Sequence, residues 1–295
     1  MRVRLPRPPD GSDLVASRRE YLDVLGSRLT AVSRRLRRQG LGGHEPLTQA
    51  SLLTIVQRLE PGAVFFDVGA HIGLYSALLS SVFEARGVRA LSFEPTPDTA
   101  ALARKLRDRN GLDYEVVETA VSSQVGRVTL HLSNRAETSN SLDPSFRPHS
   151  SSITVPMTTL DAVVRESGVR PSVIKIDVEA HESEVLRGGL DTIRAHRPWV
   201  VCEMLRHADD AALEATLSAL TDAGFHLYKL TQSTPWPEVS PAHHRRAPGD
   251  RSRDWLFAPV GLDDGFYETF HAWREAVRAC TAETNLFASA SRAGG

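Results

Sequence analysis

VFFDVGAHIGLYSALLSS, residues 64–81, changes character at its middle. It opens as an apolar run interrupted only by Asp67, breaks at Gly69, and resumes after Gly73 with small and apolar residues at helical spacing. The first half reads as a strand buried on both faces, the second as a helix entered through a glycine turn. A carboxylate in such a strand has to face something, because a buried charge without a partner is costly. In a doubly wound sheet, ligands bind outside the carboxyl ends of the strands, so Asp67 is expected at the rim of a site. Gly69 is expected to permit the tight turn and the approach of a ligand. Gly73 is expected to allow close packing of the next helix, whose first amides face that ligand.

Outward from this stretch, two kinds of segment alternate. Runs rich in β-branched residues fall at 63–68, 89–93, 114–117, 172–178 and 199–203, with amphipathic stretches at 47–59, 72–83, 97–109, 160–167, 182–195 and 209–223. This order predicts parallel strands joined by right-handed helical crossovers. Segments 225–230 and 255–260 also read as strands, but the residues between them are rich in Pro, His and Arg and carry no helical period. They are expected to pair antiparallel through a long loop. The fold class is therefore α/β: a doubly wound, seven-stranded, mostly parallel sheet with the last strand antiparallel. Residues 133–152, Ser-rich and polar between strand-like runs at 128–132 and 153–157, read as an excursion from the sheet. Residues 263–281 read as a final helix and 288–295 as a frayed end.

Composition removes several classes of function. The chain has 295 residues, 41% hydrophobic and 24% charged, as in an ordinary soluble protein. A net charge of −1 suggests neither a nucleic-acid nor a membrane partner. Two cysteines, Cys202 and Cys280, form no CxxC pair, so neither a disulfide framework nor a thiolate metal site is expected. The start, MRVRLPRPPD, does not read as a signal peptide, and no run approaches a membrane span; a cytoplasmic protein is expected. Residues 1–40 hold ten arginines against four acids. Within them Leu22, Leu25, Leu29, Val32 and Leu36 form one apolar stripe at helical spacing, ended by Gly40, Gly42 and Gly43. That predicts a basic helical extension over 1–45, packed on the domain or on a second copy as a homodimer, or lying as a lid over an anionic ligand. The main domain is then 46–262, and 263–295 the closing helix and tail.

The turn at 69–73 is G-A-H-I-G, whereas a dinucleotide site wants G-x-G-x-x-G. An acid before the turn suits a ligand with an amino group and a sulfonium better than a pyrophosphate, which points to S-adenosyl-L-methionine. Glu94, ending the next strand in LSFEP, is placed to accept the ribose hydroxyls of an adenosine. A second cluster lies in VIKIDVEAHESEVLRGG, where Lys175, Asp177 and Glu179 fall on one strand face by the period of two, with His181 in the turn. The following strand also ends in an acid, Glu203.

FFDVGAHIGLYS, SFEP, VPMTTLDAVV, IKIDVEAHESEVLRGG and RPWVVCEM occur in that order, and together they resemble the FkbM family of S-adenosylmethionine-dependent methyltransferases. The resemblance spans roughly residues 50–260. It implies a Rossmann-like class I methyltransferase in which Asp67, Gly69, Ala70, His71, Gly73 and Glu94 bind the cofactor, with Asp177 also bordering it. It further implies that Ser139, Asn140 and Ser141, in TSNSL, lie near the acceptor, and that Lys175, Asp177 and Glu179 border it. Where the family often has Asn after the third strand, this chain has Thr119.

The reaction so implied is O-methylation of a small polyhydroxylated or natural-product acceptor, a sugar or secondary metabolite, with an amine acceptor also compatible. An aliphatic hydroxyl needs a general base within reach. His181 is the first candidate, with Asp177 as its orienter or as the base, and Glu203 and Glu179 holding acceptor hydroxyls; His181 reads equally as a helix cap. No metal is expected, since no oxygen-ligand loop is visible. The competing readings are an NAD(P)-dependent oxidoreductase of related fold and a non-catalytic partner subunit. The Arg/His-rich loop 241–253 reads as exposed, or as a grip on an anionic substrate.

Overall fold

The computed structural model describes residues 1–7, 19–24, 30–133, 140–146, 148–205, 211–244 and 253–281. Strands β1 (Arg2–Arg4) and β2 (Tyr21–Asp23) pair antiparallel. Helices α1 (Ala31–Gln39) and α2 (Pro46–Arg58) follow. The quoted stretch forms β3 (Val64–Val68) and α3 (Leu74–Val82), and β4 (Arg89–Phe93), α4 (Pro97–Arg109) and β5 (Tyr114–Val117) continue the alternation. A short β6 (Ala120–Val121) leads into the ribbon of β7 (Gly126–Ser133) and β8 (His149–Thr158). Then come α5 (Leu160–Ser167), β9 (Val173–Ile176), α6 (Glu182–Arg187), α7 (Leu190–His196) and β10 (Trp199–Glu203). Helix α8 (Ala211–Asp222), β11 (His226–Lys229), β12 (Asp254–Ala258) and α9 (Asp264–Arg278) close the chain.

Among the described residues the main sheet has seven strands, ordered β11-β12-β10-β9-β3-β4-β5. Its pairs are parallel except those of β12 with β10 and β11. This is the doubly wound, seven-stranded, mostly parallel α/β architecture expected, with the last strand antiparallel. Side chains alternate across β3: Phe65 enters one core, while Val64, Phe66 and Val68 enter the other. Helices α2, α3, α4 and α9 supply apolar residues to the first core and α5 to α8 to the second. With both faces covered, the strands read as continuous apolar runs.

Three expectations need correction. The helix predicted over 182–195 is two helices, divided at Gly188 and Gly189, where Gly189 leaves helical backbone with φ −119° and ψ 7°. The strand predicted over 172–178 ends at Ile176. The single stripe over 22–36 is divided: Leu22 sits in β2 and Leu36 in α1. Both are wholly buried in this chain's own core beside Val3, Phe270 and Trp273, which removes the argument for a homodimer through them. Leu25, Leu29, Ser139, most of the loop 241–253 and the tail 288–295 lie outside the described residues. Among the described residues no helix is long and apolar enough to cross a membrane.

From β3 the chain moves one way, to β4 and β5, and from β9 the other way, to β10. The switch point therefore lies between β3 and β9. There the Asp177 amide donates to the Val68 carbonyl at 3.0 Å. Gly69 has φ 79°, and a Cβ on it would lie 1.8 Å from the Asp177 carbonyl oxygen. Contact between the two turns by itself demands this glycine. Gly73, with φ 75°, packs on the Tyr114 hydroxyl and Ala103, which is the close helix packing expected of it. Gly69→Ala is expected to lower the unfolding free energy by more than about 1 kcal/mol, since it combines left-handed backbone with a backbone clash. Gly73→Ala, opposed by side chains that can shift, should cost less; urea denaturation of both variants measures the order.

Candidate functional site

The turn after β3, the end of β4 and the turn after β9 surround a cavity of about 330 Å³. Gly69, Ala70 and His71 line it from the glycine turn, and Glu94 and Thr119 from the neighbouring strand ends. Glu94 is held at the rim: its carboxylate accepts the backbone amides of His71 at 3.0 Å and Thr96 at 2.8 Å. Burial pushes its pKa up to about 6. Asp67 does not reach the rim. It is 0% exposed, and its Oδ2 accepts the Ser76 amide at 3.2 Å and the Ser76 hydroxyl at 2.9 Å. The first turns of α3 therefore hold one oxygen of this acid from below, while Oδ1 is buried with no hydrogen-bond partner among the described residues, and burial raises the pKa.

The ribbon folds over the same cavity. Asn140 accepts the Ser133 amide at 2.9 Å and donates to the Thr96 hydroxyl at 3.3 Å. The Ser141 hydroxyl donates to the Glu179 carbonyl, and both Asn140 and Ser141 line the wall.

Lys175 is 3% exposed and stands in register with Asp67 on β3. Its ammonium donates to Asp177 at 2.9 Å and lies 4.7 Å from the centre of the Tyr75 ring. Burial opposes the charge on Lys175, but Asp177, Asp67 and Glu45 outweigh it and hold the pKa above the ordinary value. Burial likewise opposes ionisation of Asp177, yet Lys175 and a hydrogen bond from Glu203 keep its pKa below the usual range. Burial and the Asp177 charge then push Glu203 far above its own. These opposed shifts favour one proton retained between the two carboxyl groups. Arg253 stands 3.7 Å from the Glu203 carboxylate.

Glu179 lines the cavity, but from beyond the strand: with Ala180 it forms a left-handed turn, φ 54° and 74°. His181 occupies the N-cap position of α6, and its Nε2 pairs with the Ser122 hydroxyl at 2.9 Å, outside the cavity wall. The expected first base is thus a residue beside the sheet, because the two left-handed residues before it swing the chain away.

A second cavity, about 530 Å³, shares Glu45, Lys175, Asp177, Glu203 and Arg253 with the first and continues to Thr48, Gln232 and Asp254. His44, Glu45, Tyr75 and Asp254 are site residues that sequence reasoning passes over. For Asp254 a signal exists: it opens the closing strand as Glu203 ends its own, and the two stand opposite in register. For Glu45 there is little, since an acid before Pro46 reads as an ordinary helix start.

Glu94 and Asp254 titrate with a definite sign. Burial raises Glu94 from 4.5 to about 6, and burial with the Glu45 and Asp177 charges raises Asp254 from 3.8 to about 7. The fold favours their neutral forms. Their stabilisation is full below the unfolded values and is lost as pH rises through the folded ones. The ligand-free protein should therefore weaken between about pH 4 and about pH 8. Asp254→Asn should flatten that fall by a few kcal/mol, roughly three pKa units. Urea unfolding across this range is the measurement, and equal slopes in both proteins would count against the assignment.

The hexuronic acid methyltransferase AglP of Haloferax volcanii is 27% identical to this chain, over 48% of it and 56% of the relative. The chain thus spans about half the length of that protein. The 31-O-demethyl-FK506 methyltransferase FkbM of Streptomyces tacrolimicus is 29% identical, over 57% of this chain and 74% of that one. A solved structure of methyltransferase FkbM from Methylobacillus flagellatus KT is 18% identical with a TM-score of 0.46, covering 68% of this chain and 44% of that one. The model of the methyltransferase FkbM domain matches residues 67–227, more than half of the chain and most of the sheet that carries the cavity. The chain belongs to the FkbM methyltransferase family.

Proposed function

We propose that this chain transfers the methyl group of S-adenosyl-L-methionine to a hydroxyl of a small polyhydroxylated or natural-product acceptor. The observation that carries the reading is the junction of two cavities at Lys175, Asp177 and Glu203. One cavity is bounded by a glycine turn and a strand-end carboxylate, the other by polar side chains.

The first cavity fits an adenosine-bearing methyl donor. Glu94 offers a carboxylate that the backbone amides of His71 and Thr96 already orient, and it retains acceptor capacity for a ribose hydroxyl. Gly69, Ala70 and His71 would border the same ligand, Thr119 its base, and Asp177 its amino-acid end. Gly73 and Asp67 support the turn from behind. Bound there, the sulfonium supplies an electrophilic methyl group whose transfer discharges a positive charge, a step that water-poor surroundings favour.

The second cavity takes the acceptor. Asp177 is the ionised member of its pair and receives the hydroxyl proton as the acceptor oxygen bonds to carbon. Glu203 carries the shared proton and donates to Asp177, which fixes the direction of that carboxylate. Lys175 keeps Asp177 ionised. Asn140, Ser141 and Glu179 close the roof above the reacting atoms. The two curated relatives are named for a hexuronic acid and for 31-O-demethyl-FK506, and an oxygen acceptor here accords with both names.

Calorimetry should show binding of S-adenosylhomocysteine and none of NADPH, and mass spectrometry should show methylated product from a panel of uronic acids, polyols and macrocyclic alcohols. Asp177→Asn should lower kcat/KM for methyl transfer by about 10²- to 10⁴-fold, while His181→Ala changes it little. Full activity in Asp177→Asn would remove Asp177 from the chemistry.

A further inference from the structure

Three of the non-glycine residues with left-handed backbone line the first cavity: Glu45, His71 and Glu179. Strain of this kind persists only where the surroundings impose it, and it gathers at functional sites. Glu45 is the least expected of the three. It precedes Pro46, the first residue of α2, where both the capping position and the proline favour extended backbone. Instead it has φ 45° and ψ 56°.

What imposes this conformation comes from both ends of the chain. The turn through Gly40 and Gly42 is seated on the end of α9, with the Gly42 amide donating to the Cys280 carbonyl at 3.1 Å. A Cβ on Gly40 would lie 2.1 Å from that same oxygen, so the seat admits only glycine. Gln49 then reaches back from α2 to the carbonyls of Leu41 and His44. His44 is 6% exposed, lines the cavity, and has an Nδ1 with no hydrogen-bond partner among the described residues. Held in this way, the Glu45 side chain is 41% exposed and borders both cavities. One carboxylate oxygen, Oε2, accepts the Tyr75 hydroxyl, and this leaves Oε1 for a ligand. The carboxylate makes no capping hydrogen bond to α2.

We propose that Glu45 is an acceptor-binding residue. Its carboxylate accepts a hydrogen bond from a hydroxyl of the polyhydroxylated acceptor where the two cavities meet, and Tyr75 is the positioning residue that aims it. This rests on the methyltransferase reading above and extends it to a residue outside the matched segment 67–227. Glu45 and Asp177 border both cavities, so they can receive two hydroxyls of one polyol, one held and one deprotonated. The acceptor class is then a polyol or sugar with a free hydroxyl beside the one methylated.

The test is calorimetry on the full chain with S-adenosylhomocysteine, then with methyl β-D-glucuronide on the protein saturated with it. Wild type should bind both. Glu45→Gln should bind S-adenosylhomocysteine as wild type does and the glucuronide at least about tenfold more weakly, as expected for a lost hydrogen bond to a charged group. Tyr75→Phe should weaken the glucuronide less, and the double variant should bind it no more weakly than Glu45→Gln alone. Additive losses would mean that Tyr75 does not act through Glu45. Unchanged glucuronide binding in Glu45→Gln overturns the role of Glu45 and leaves the methyltransferase reading intact. A similar loss of S-adenosylhomocysteine binding in Glu45→Gln puts the carboxylate on the cofactor and overturns it as well. Wild type that binds S-adenosylhomocysteine but not the glucuronide refutes the acceptor class, whereas wild type that binds neither sinks both readings.

Discussion

A lysine ammonium is buried where the two halves of the sheet meet, and the site follows from what that burial requires. Lys175 is next to Asp67 across the sheet and donates to Asp177 just beyond its own strand. Removing one partner from a buried pair leaves an uncompensated charge, a far larger cost than the net stabilisation the pair provides. The ammonium therefore fixes the charge of its neighbours. Lys175 favours the ionised form of Asp177, and the Asp177 charge in turn disfavours ionisation of Glu203. Two carboxyl groups that would behave alike in water are thus driven in opposite directions.

Much of this frame was legible in the residues. The parallel strands are continuous apolar runs because helices cover both faces, and glycine, proline and charge mark where each run ends. The absence of any helical period before 255–260 revealed the antiparallel strand, since a parallel strand there would need a crossover helix. The acids ending strands, Glu94 and Glu203, are readable as lining a cavity because a carboxylate is out of place in a buried run. Lys175 and Asp177 were readable for the same reason.

The misreadings share a different cause. Period and propensity describe a segment by itself, and these placements depend on contacts far away in sequence. Leu22 and Leu36 fall on one helical face on paper, but Tyr21–Asp23 pairs with Arg2–Arg4 and the stripe never forms as one element. Asp67 looks like a rim acid until Ser76 is seen to hold one of its oxygens from α3. His181 reads equally as a base, since its ordinary pKa suits the task, and as a helix cap, because side-chain chemistry says nothing of direction; the structure places it at the N-cap of α6. Two left-handed residues, Glu179 and Ala180, turn it toward Ser122. Consecutive non-glycine residues in that conformation are not foreseeable from composition.

The same strain explains why the wall of the site is spread so widely along the chain. A turn that must present a carboxylate or a backbone amide toward a cavity cannot also relax into its preferred geometry, so rigid surroundings have to hold it. For His71 the support is Glu94, which takes its amide and fixes the glycine turn against the end of β4. For Glu179 it is Ser141, which anchors the overlying ribbon to its carbonyl. For Glu45 it is the seat of Gly40 and Gly42 on the last turn of α9. Each support comes from an element distant in sequence from the turn it holds. The supports of the first two turns lie within the matched segment 67–227, whereas that of Glu45 lies wholly outside it. The segments at the two ends of the described chain are accordingly part of the site's construction: each depends on the other to keep Glu45 in place, and the sheet alone would leave that side of the junction open.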